Sequence, residues 1–335
     1  MHILVTGGAG FIGSHTVVEL LNQDHEVTIV DNFYNSSPKV LDAIKEITQK
    51  QFRFHLVDVS NQEQIIELFE NNEFDAVIHF AGYKAVGESV SKPLSYYFNN
   101  VTSTIHLAQA CVDYGVNKFV FSSSATVYGD NNVPFKEDME LLPTTNPYGE
   151  TKAMSERVLM DAVKAHPDLG VSLLRYFNPV GAHPSGLIGE VPTGVPNNLM
   201  PYISQVASGQ REKLFVFGND YETTDGTGVR DYIHVVDLAK GHVAALEHLN
   251  AGTHIYNLGS GKGTSVLELV HSFEKVNDIK IPYDIVKRRD GDIATSYADA
   301  SKAKNELDWE TKLTIDDMCE DTWRFESKRV TKRDI

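Results

Sequence analysis

The start of the chain constrains its fold more than any other feature. An apolar, β-branched run over residues 2–7 (HILVTG) leads directly into Gly7-Gly8-Ala9-Gly10-Phe11-Ile12-Gly13, and a helical pattern follows over 12–22. The same strand-then-helix unit recurs. Strands are expected at 26–31, 52–58, 75–82, 117–124 and 171–178, with helix-length segments at 38–50, 62–71, 94–114 and 147–165. The strand candidates are apolar nearly throughout rather than alternating, as in strands covered on both faces. Repeated units of this kind predict an α/β fold with a doubly wound parallel sheet and right-handed crossovers.

The pattern changes after Asn178. Residues 178–198 (NPVGAHPSGLIGEVPTGVPNN) are rich in Pro and Gly and show no sustained period, and a second irregular stretch spans 218–230. Strand and helix return over 231–249, and 254–261 looks like another buried strand. We expect a Rossmann-type dinucleotide-binding domain over 1–180 and a smaller mixed α/β substrate-binding domain over 181–335. Segments from about 231–262 are expected to return to the first domain. Such sheets bind ligand in the crevice at the carboxyl ends of their strands.

Composition removes several function classes. A net charge of -16 disfavours a nucleic-acid partner, which wants a basic stripe. No apolar run approaches the roughly 18 residues of a membrane span. The N-terminus reads as a strand rather than a basic-then-apolar leader, so the cytoplasm is the expected location. Cys111 and Cys319 are the only cysteines, too few for a disulfide framework or a cysteine zinc site. The 13 histidines are scattered, no metal site is expected, and His79 reads as a packed strand residue.

Gly7, Gly10 and Gly13 form a variant of the dinucleotide fingerprint. They serve a tight turn, a close backbone approach to pyrophosphate and close helix–strand packing. The helix start adds unpaired N–H groups and a positive dipole. Asp31 ends the second strand, where a carboxylate accepts from both ribose hydroxyls and repels a 2′-phosphate. That favours NAD over NADP; the alternative is a cap for the 32–37 loop. Asp58 is either a partner for the adenine edge or a loop cap.

Ser124, Tyr148 and Lys152 are the catalytic candidates. Asn146-Pro147 is a good helix start, so Tyr148 and Lys152 fall four apart on one face. Oxidising a secondary alcohol needs a base, and a free tyrosine with pKa near 10 is a poor one. A cation about 4 Å away at an effective dielectric of about 20 is worth roughly 4 kcal/mol. At about 1.4 kcal/mol per pKa unit, Lys152 and the nicotinamide cation together would bring the Tyr148 phenol toward neutrality. Ser124 would hold the same substrate hydroxyl or pass on its proton.

Longer segments carry a family resemblance. They include TGGAGFIGSH (6–15), HFAGYKAVGES (79–89), FSSSATVYGD (121–130), PYGETK (147–152), LRYFNPVGAHPSG (174–186), PNNLMPY (196–202) and FGNDYETTDGTGVRDYIHV (217–235). Over nearly its whole length the chain resembles the UDP-glucose 4-epimerases of the extended short-chain dehydrogenase/reductase group. The resemblance implies Tyr148 as base, Lys152 on the nicotinamide ribose and Ser124 assisting. Phe11, Ile12, Asp31, Asn32, Ser36, Asp58 and Val59 would line the cofactor. So would Phe80, Ala81, Gly82, Lys84, Asn99 and Phe177. Asn178, Asn198, Arg230, Arg289 and Asp292 would hold UDP-sugar, with Leu214, Phe215, Val216 and Phe217 near the uracil. Guanidinium forks at Arg230 and Arg289 suit a diphosphate; beside them, Lys287 and Arg288 read more naturally as solvated charge.

The resemblance also implies a mechanism. The 4-hydroxyl proton goes to Tyr148 and the C4 hydride to NAD; the 4-keto sugar turns over and takes the hydride back on its other face. A homodimer acting on UDP-hexoses is implied. Ser296 stands where a bulky tyrosine is associated with glucose-only enzymes, so acceptance of the N-acetylated pair, UDP-GlcNAc and UDP-GalNAc, is expected. Two rivals stay open. A nucleotide-sugar 4,6-dehydratase needs a carboxylate pair just after the catalytic serine, whereas Ala125 and Thr126 follow Ser124 and no carboxylate comes before Asp130. A non-catalytic NAD-binding regulator would have lost the tyrosine or lysine that this chain keeps.

Overall fold

A computed structural model describes residues 1–331 except Thr193, Val195, Asn197, Asp290 and Gly291. The tail of the expected second domain, 332–335, lies outside the described residues. The glycine turn joins β1 (His2–Thr6) to α1 (Phe11–Asn22), and the unit repeats as β2 (Glu26–Asp31), α2 (Lys39–Thr48), β3 (Arg53–Leu56), α3 (Gln62–Glu70) and β4 (Ala76–His79). Short helices α4 (Val86–Ser91) and α5 (Pro93–Tyr96) and a π-turn (Tyr97–Val101) lead into α6 (Thr102–Tyr114). Then come β5 (Lys118–Ser122), α7 (Pro147–Ala165) and β6 (Gly170–Tyr176).

These strands form a parallel sheet in the order β3-β2-β1-β4-β5-β6, and a seventh strand, β10 (Gly252–Leu258), adds to β6. The period of two along β1 splits its side chains between two cores. Ile3 and Val5 pack with Val17 and Leu21 of α1 and with Leu238 and Leu246 of α9 (Val235–Glu247). Leu4 packs on the other face with Leu68 of α3, Leu107 of α6 and Leu159 of α7. Covered on both faces, the central strands need apolar residues at every position, which is the pattern the sequence shows.

β3 departs from that expectation. As the edge strand it leaves Arg53 and Leu56 exposed, and it stops two residues short of Asp58. β5 likewise stops at Ser122, two residues before Ser124, and the 94–114 segment is a helix pair broken by the π-turn. The run 171–178 is not one strand. The Phe177 amide donates to Leu258 O (3.3 Å), and the chain then changes sheets, so Asn178–Val180 is a separate strand, β7.

β7 pairs with β9 (Val229–His234), which also holds β11 (Gly263–Ser265) and β13 (Thr295–Ser296). Beside them β8 (Leu214–Phe217) pairs with β12 (Tyr283–Val286). The helices α8 (Leu199–Ala207), α10 (Val266–Asn277) and α12 (Ile315–Thr331) share a core with β8 and β9 through Ile203, Val216, Tyr232, Phe273 and Met318. The short helix α11 (Ser301–Leu307) packs Leu307 under the large sheet. β9 thus stays with the small sheet, while α9 and β10 join the large one. Strand order reverses at β1, so a crevice opens above the carboxyl ends of β1 and β4.

Candidate active site

The glycine turn forms the floor of the crevice. Gly7 lies at φ +68°, and a Cβ there would sit 2.7 Å from Ala81 N, in the loop after β4. A Cβ on Gly13 would sit 2.9 Å from Gly8 Cα. Gly10 caps α1 without a side-chain hydrogen bond, and the first turn carries no acidic residue. The N–H groups there are left to an anion. Asp31 ties the neighbouring strand to this turn: Oδ2 accepts from Ala9 N (3.0 Å), while Oδ1 accepts from Phe33 N (2.9 Å) and Ser36 Oγ (2.8 Å). The carboxylate is therefore a loop cap and also the acid at the end of β2. Asp58 Oδ1 accepts from Ser60 N (2.9 Å) and Ser60 Oγ (2.7 Å), so it too caps a loop while facing the crevice.

A cavity of about 1260 Å³ runs along this end of the sheet. Its wall contains Gly7, Gly10, Phe11, Ile12, Gly13, Asp31, Asn32 and Ser36, and also Asp58 and Val59. From the next strands come Phe80, Ala81, Gly82, Lys84 and Asn99, then Tyr148 and Lys152. A glycine cradle, an unfilled helix start and a carboxylate on the second strand fit a dinucleotide. Phe177 is not in the wall. It is buried with Phe135 and Tyr128, and Tyr176, one residue earlier, faces the cavity instead.

Asn146 Oδ1 accepts from Gly149 N (2.9 Å) and starts α7, with Pro147 in its first turn. Positions 148, 152 and 156 then follow one another down one buried face. Three consecutive serines meet that face. Ser124 hydrogen-bonds the Tyr148 phenol. Lys152 Nζ donates to Ser122 O (2.7 Å) and lies 4.9 Å from the centre of the Phe121 ring. Ser123 Oγ donates to Glu156 Oε1 (2.5 Å). Ser124 Oγ accepts from both Thr126 N (3.2 Å) and Thr126 Oγ1 (2.9 Å), which leaves its own proton free to donate. Ser122 Oγ donates to the Tyr176 hydroxyl (2.8 Å).

Lys152, one of the two cations expected to lower the Tyr148 phenol, does not do so alone. Burial pushes the Tyr148 phenol above the ordinary tyrosine value, and the Ser124 hydrogen bond pulls it only partly back. Lys152 is itself desolvated, its pKa lowered to about 8 by burial and propped up by Glu156. A buried cation whose ammonium is committed to a carbonyl does not offset the cost of burying a phenolate. His79 lies behind the site as a core residue, 2.8 Å from Thr6 Oγ1, and burial together with the charge of Lys152 lowers it to about 3.

The expected sugar-nucleotide residues fall into two groups. Asn198 is in the cavity wall, where its Nδ2 donates to Glu190 Oε1 (2.9 Å). The others lie beyond that wall. Asn178 pairs with Tyr232, and Ser296 with Arg230, across the small sheet. Arg289 forms a two-point pair with Asp292 (Nε–Oδ2 2.9 Å, Nη2–Oδ1 3.3 Å) and stacks on Phe217 (4.9 Å). Arg230 Nη1 donates to Val229 O (2.8 Å), and the charges of Arg230 and Arg289 both act to lower the Tyr232 phenol against the effect of its burial. In β8, Leu214 and Val216 point into the core, and only Phe215 and Phe217 face outward.

Sequence reasoning missed Glu156 and Arg175, which form a buried pair behind the serines, and Tyr176 in the wall. It also missed Glu190, which joins Lys84 (2.8 Å) to Asn198. A charged residue one helical turn beyond Lys152 was the available signal for Glu156. Among the described residues no group of three or more His, Cys, Asp or Glu is placed to hold a metal, and no helix is long and apolar enough to cross a membrane.

The family model for GDP-mannose 4,6 dehydratase matches residues 4–322. A UDP-glucose 4-epimerase of Pasteurella multocida is 58% identical, covering 98% of both chains. The crystal structure of a UDP-glucose 4-epimerase from Bifidobacterium longum, in complex with NAD+ and UDP, superimposes with a TM-score of 0.95 at 52% identity, covering 98% of this chain and 99% of that one. The UDP-Glc/GlcNAc 4-epimerase of Campylobacter jejuni matches with a TM-score of 0.85 at 38% identity, covering 98% and 99%.

Proposed function

The chain belongs to the UDP-glucose 4-epimerases of the extended short-chain dehydrogenase/reductase group, and from that premise we propose how its residues divide the work. It is an isomerase that interconverts UDP-glucose and UDP-galactose at C4, with NAD as cofactor. The observation that carries the division is a single cavity with the glycine cradle at one end and the buried Tyr148 and Lys152 in its wall. The cradle, Asp31 and Lys152 hold the dinucleotide. The chemistry NAD supplies when bound is acceptance of the C4 hydride and its return.

Tyr148 takes the 4-hydroxyl proton at its phenolic oxygen and gives it back to the opposite epimer. Ser124 donates to that oxygen and stabilises the phenolate. Lys152, with a pKa of about 8, keeps most of its charge at neutral pH, and the Ser122 carbonyl holds its ammonium in place. Inversion needs a fixed nucleotide and a sugar free to turn. Arg230 and Arg289 grip the diphosphate, with Asp292 aligning the Arg289 fork; Asn178 and Asn198 flank it, and the outward face of Leu214–Phe217 meets the uracil.

Ser296 sits beside Arg230 in the small sheet and leaves room at the sugar, so UDP-GlcNAc and UDP-GalNAc are also substrates. The active form is a homodimer that works in the cytoplasm. Support for the dimer is an apolar patch along α4 to α6, with Leu94 81% and Phe98 64% exposed and Val90 and Ile105 beside them. Sedimentation would check it, with Leu94→Glu shifting the protein to monomer.

The test of function is incubation of purified protein, with no added cofactor, with UDP-galactose and separately with UDP-GalNAc. Each is expected to reach a mixture of C4 epimers, and Ser296→Tyr is expected to block only the acetylated pair. A product lighter by one water would instead mark a dehydratase. Ser124 is followed by Ala125 and Thr126 in a single 3-10 turn, and no carboxylate stands between it and Asp130 in the sequence to support that chemistry.

A further inference from the structure

The strands β2 and β4 flank β1, so their following loops rise on either side of the glycine turn. Two strands separated by a third lie roughly 10 Å apart. Nevertheless the ring of Tyr34, three residues past β2, meets the ring of Tyr83, four residues past β4, with centroids 4.6 Å apart and planes tilted by 34°. Both residues belong to the cavity wall. Neighbouring strands place both rings above the turn, so their contact bridges the crevice from one bank to the other.

The two sides are mounted differently. Tyr83 is a fixed post. Its N–H donates to Asn100 Oδ1 (2.8 Å), its carbonyl accepts from Asn100 Nδ2 (3.0 Å), and its ring also rests on Tyr96 (5.5 Å). Tyr34 is 58% exposed and sits on a tight loop. Phe33 before it has φ +56° and stacks on Phe54 (5.2 Å), and the Tyr34 amide donates to Asn32 Oδ1 (3.0 Å). The Tyr34 ring can leave the contact by side-chain rotation alone, without disturbing the core.

We propose that Tyr34 and Tyr83 form an aromatic clasp across the dinucleotide crevice and set the rate at which NAD leaves. The clasp rests on the reading that NAD occupies this crevice. It closes over the stretch between the glycine turn and the loops after β2 and β4, where the phosphates and adjoining ribose run. Opening it breaks one tilted aromatic contact. The reaction returns its hydride and has no need to exchange cofactor, so a closed clasp costs nothing in turnover and keeps the enzyme charged.

The experiment uses the holoenzyme. Enzyme carrying NAD is mixed with excess alcohol dehydrogenase and ethanol, and absorbance at the NADH band reports NAD as it escapes. Loss of one aromatic contact predicts release about fivefold faster from Tyr34→Ala than from wild type. Tyr34→Phe, which keeps the ring, is expected to match wild type. Tyr83→Ala is expected to speed release as well, and the double variant to be no faster than the faster single one, because both break the same contact. Release from Tyr34→Ala at the wild-type rate overturns the clasp, as does simple multiplication of the two single effects. Wild-type protein that carries no NAD and takes none up overturns the cofactor reading itself, a distinct outcome.

Discussion

Glu156 and Arg175 face each other as a two-point pair, Oε1 to Nε at 3.0 Å and Oε2 to Nη2 at 2.7 Å, with both side chains almost wholly buried. The pair sits directly behind the site, since Glu156 also accepts from Ser123 and its charge supports the Lys152 cation. Breaking one side of such a pair strands the other charge in the core, at a cost of about 3–5 kcal/mol. Glu156→Gln is therefore expected to lower stability by an amount in that range. The apolar double replacement Glu156→Met with Arg175→Met is expected to lose much less. Urea unfolding of the three proteins checks this.

Lys152 makes stability depend on pH. Its folded pKa of about 8 lies below the ordinary lysine value of 10.5, because burial disfavours the cation. Between those values the unfolded chain holds a proton that the folded chain has released, so stability rises with pH across this window. Below pH 8 the full penalty, roughly 3 kcal/mol, applies. The stability of Lys152→Met relative to wild type is expected to fall steadily from pH 8 to 10, as read by urea midpoints at each pH.

Three buried histidines act at the acid end. Burial lowers His15 and His79 to about 3 and His242 to about 4. The unfolded chain takes up these protons near pH 6.5, well before the folded one does. The stability these histidines contribute is thus full above about pH 6.5 and is lost progressively as pH falls toward 3–4. Replacing His242 by Leu is expected to flatten the decline between pH 7 and 5, measured by urea midpoints.

Gly13→Ala drives a methyl against the Gly7 carbonyl and the Gly8 backbone. These atoms are backbone and cannot swing aside, so the helix must shift away from the turn. The variant is expected to purify with little or no NAD and to melt several degrees lower. Nicotinamide content per chain and a melting curve check both.

The parts of the fold that read directly from the sequence are those whose local and tertiary signals agree. β2 spans 26–31 and α7 spans 147–165, as the apolar run and the Asn146-Pro147 start indicate. β3 misled because an edge strand can keep apolar residues, such as Leu56, on an exposed face. Strand ends were overrun at Asp58 and Ser124 because both residues cap the turn that follows and so continue the polar end of each strand without belonging to it. The cradle was legible, since only glycine serves there. The swap of Phe177 for Tyr176 in the cavity wall was not, because it depends on where the chain leaves one sheet for another. Neither the pairing of Glu156 with Arg175 nor that of Tyr34 with Tyr83 leaves a trace in local spacing, since each joins distant segments.

The most direct measurement is the turnover of Tyr148→Phe on UDP-galactose, taken together with its NAD content and its KM. Loss of a positioned proton acceptor predicts a kcat lower by about 10²- to 10⁴-fold, with NAD retained and KM within about twofold of wild type. Interconversion at the wild-type rate by a folded, NAD-bearing Tyr148→Phe protein would contradict the assignment of the phenol as the group that moves the proton.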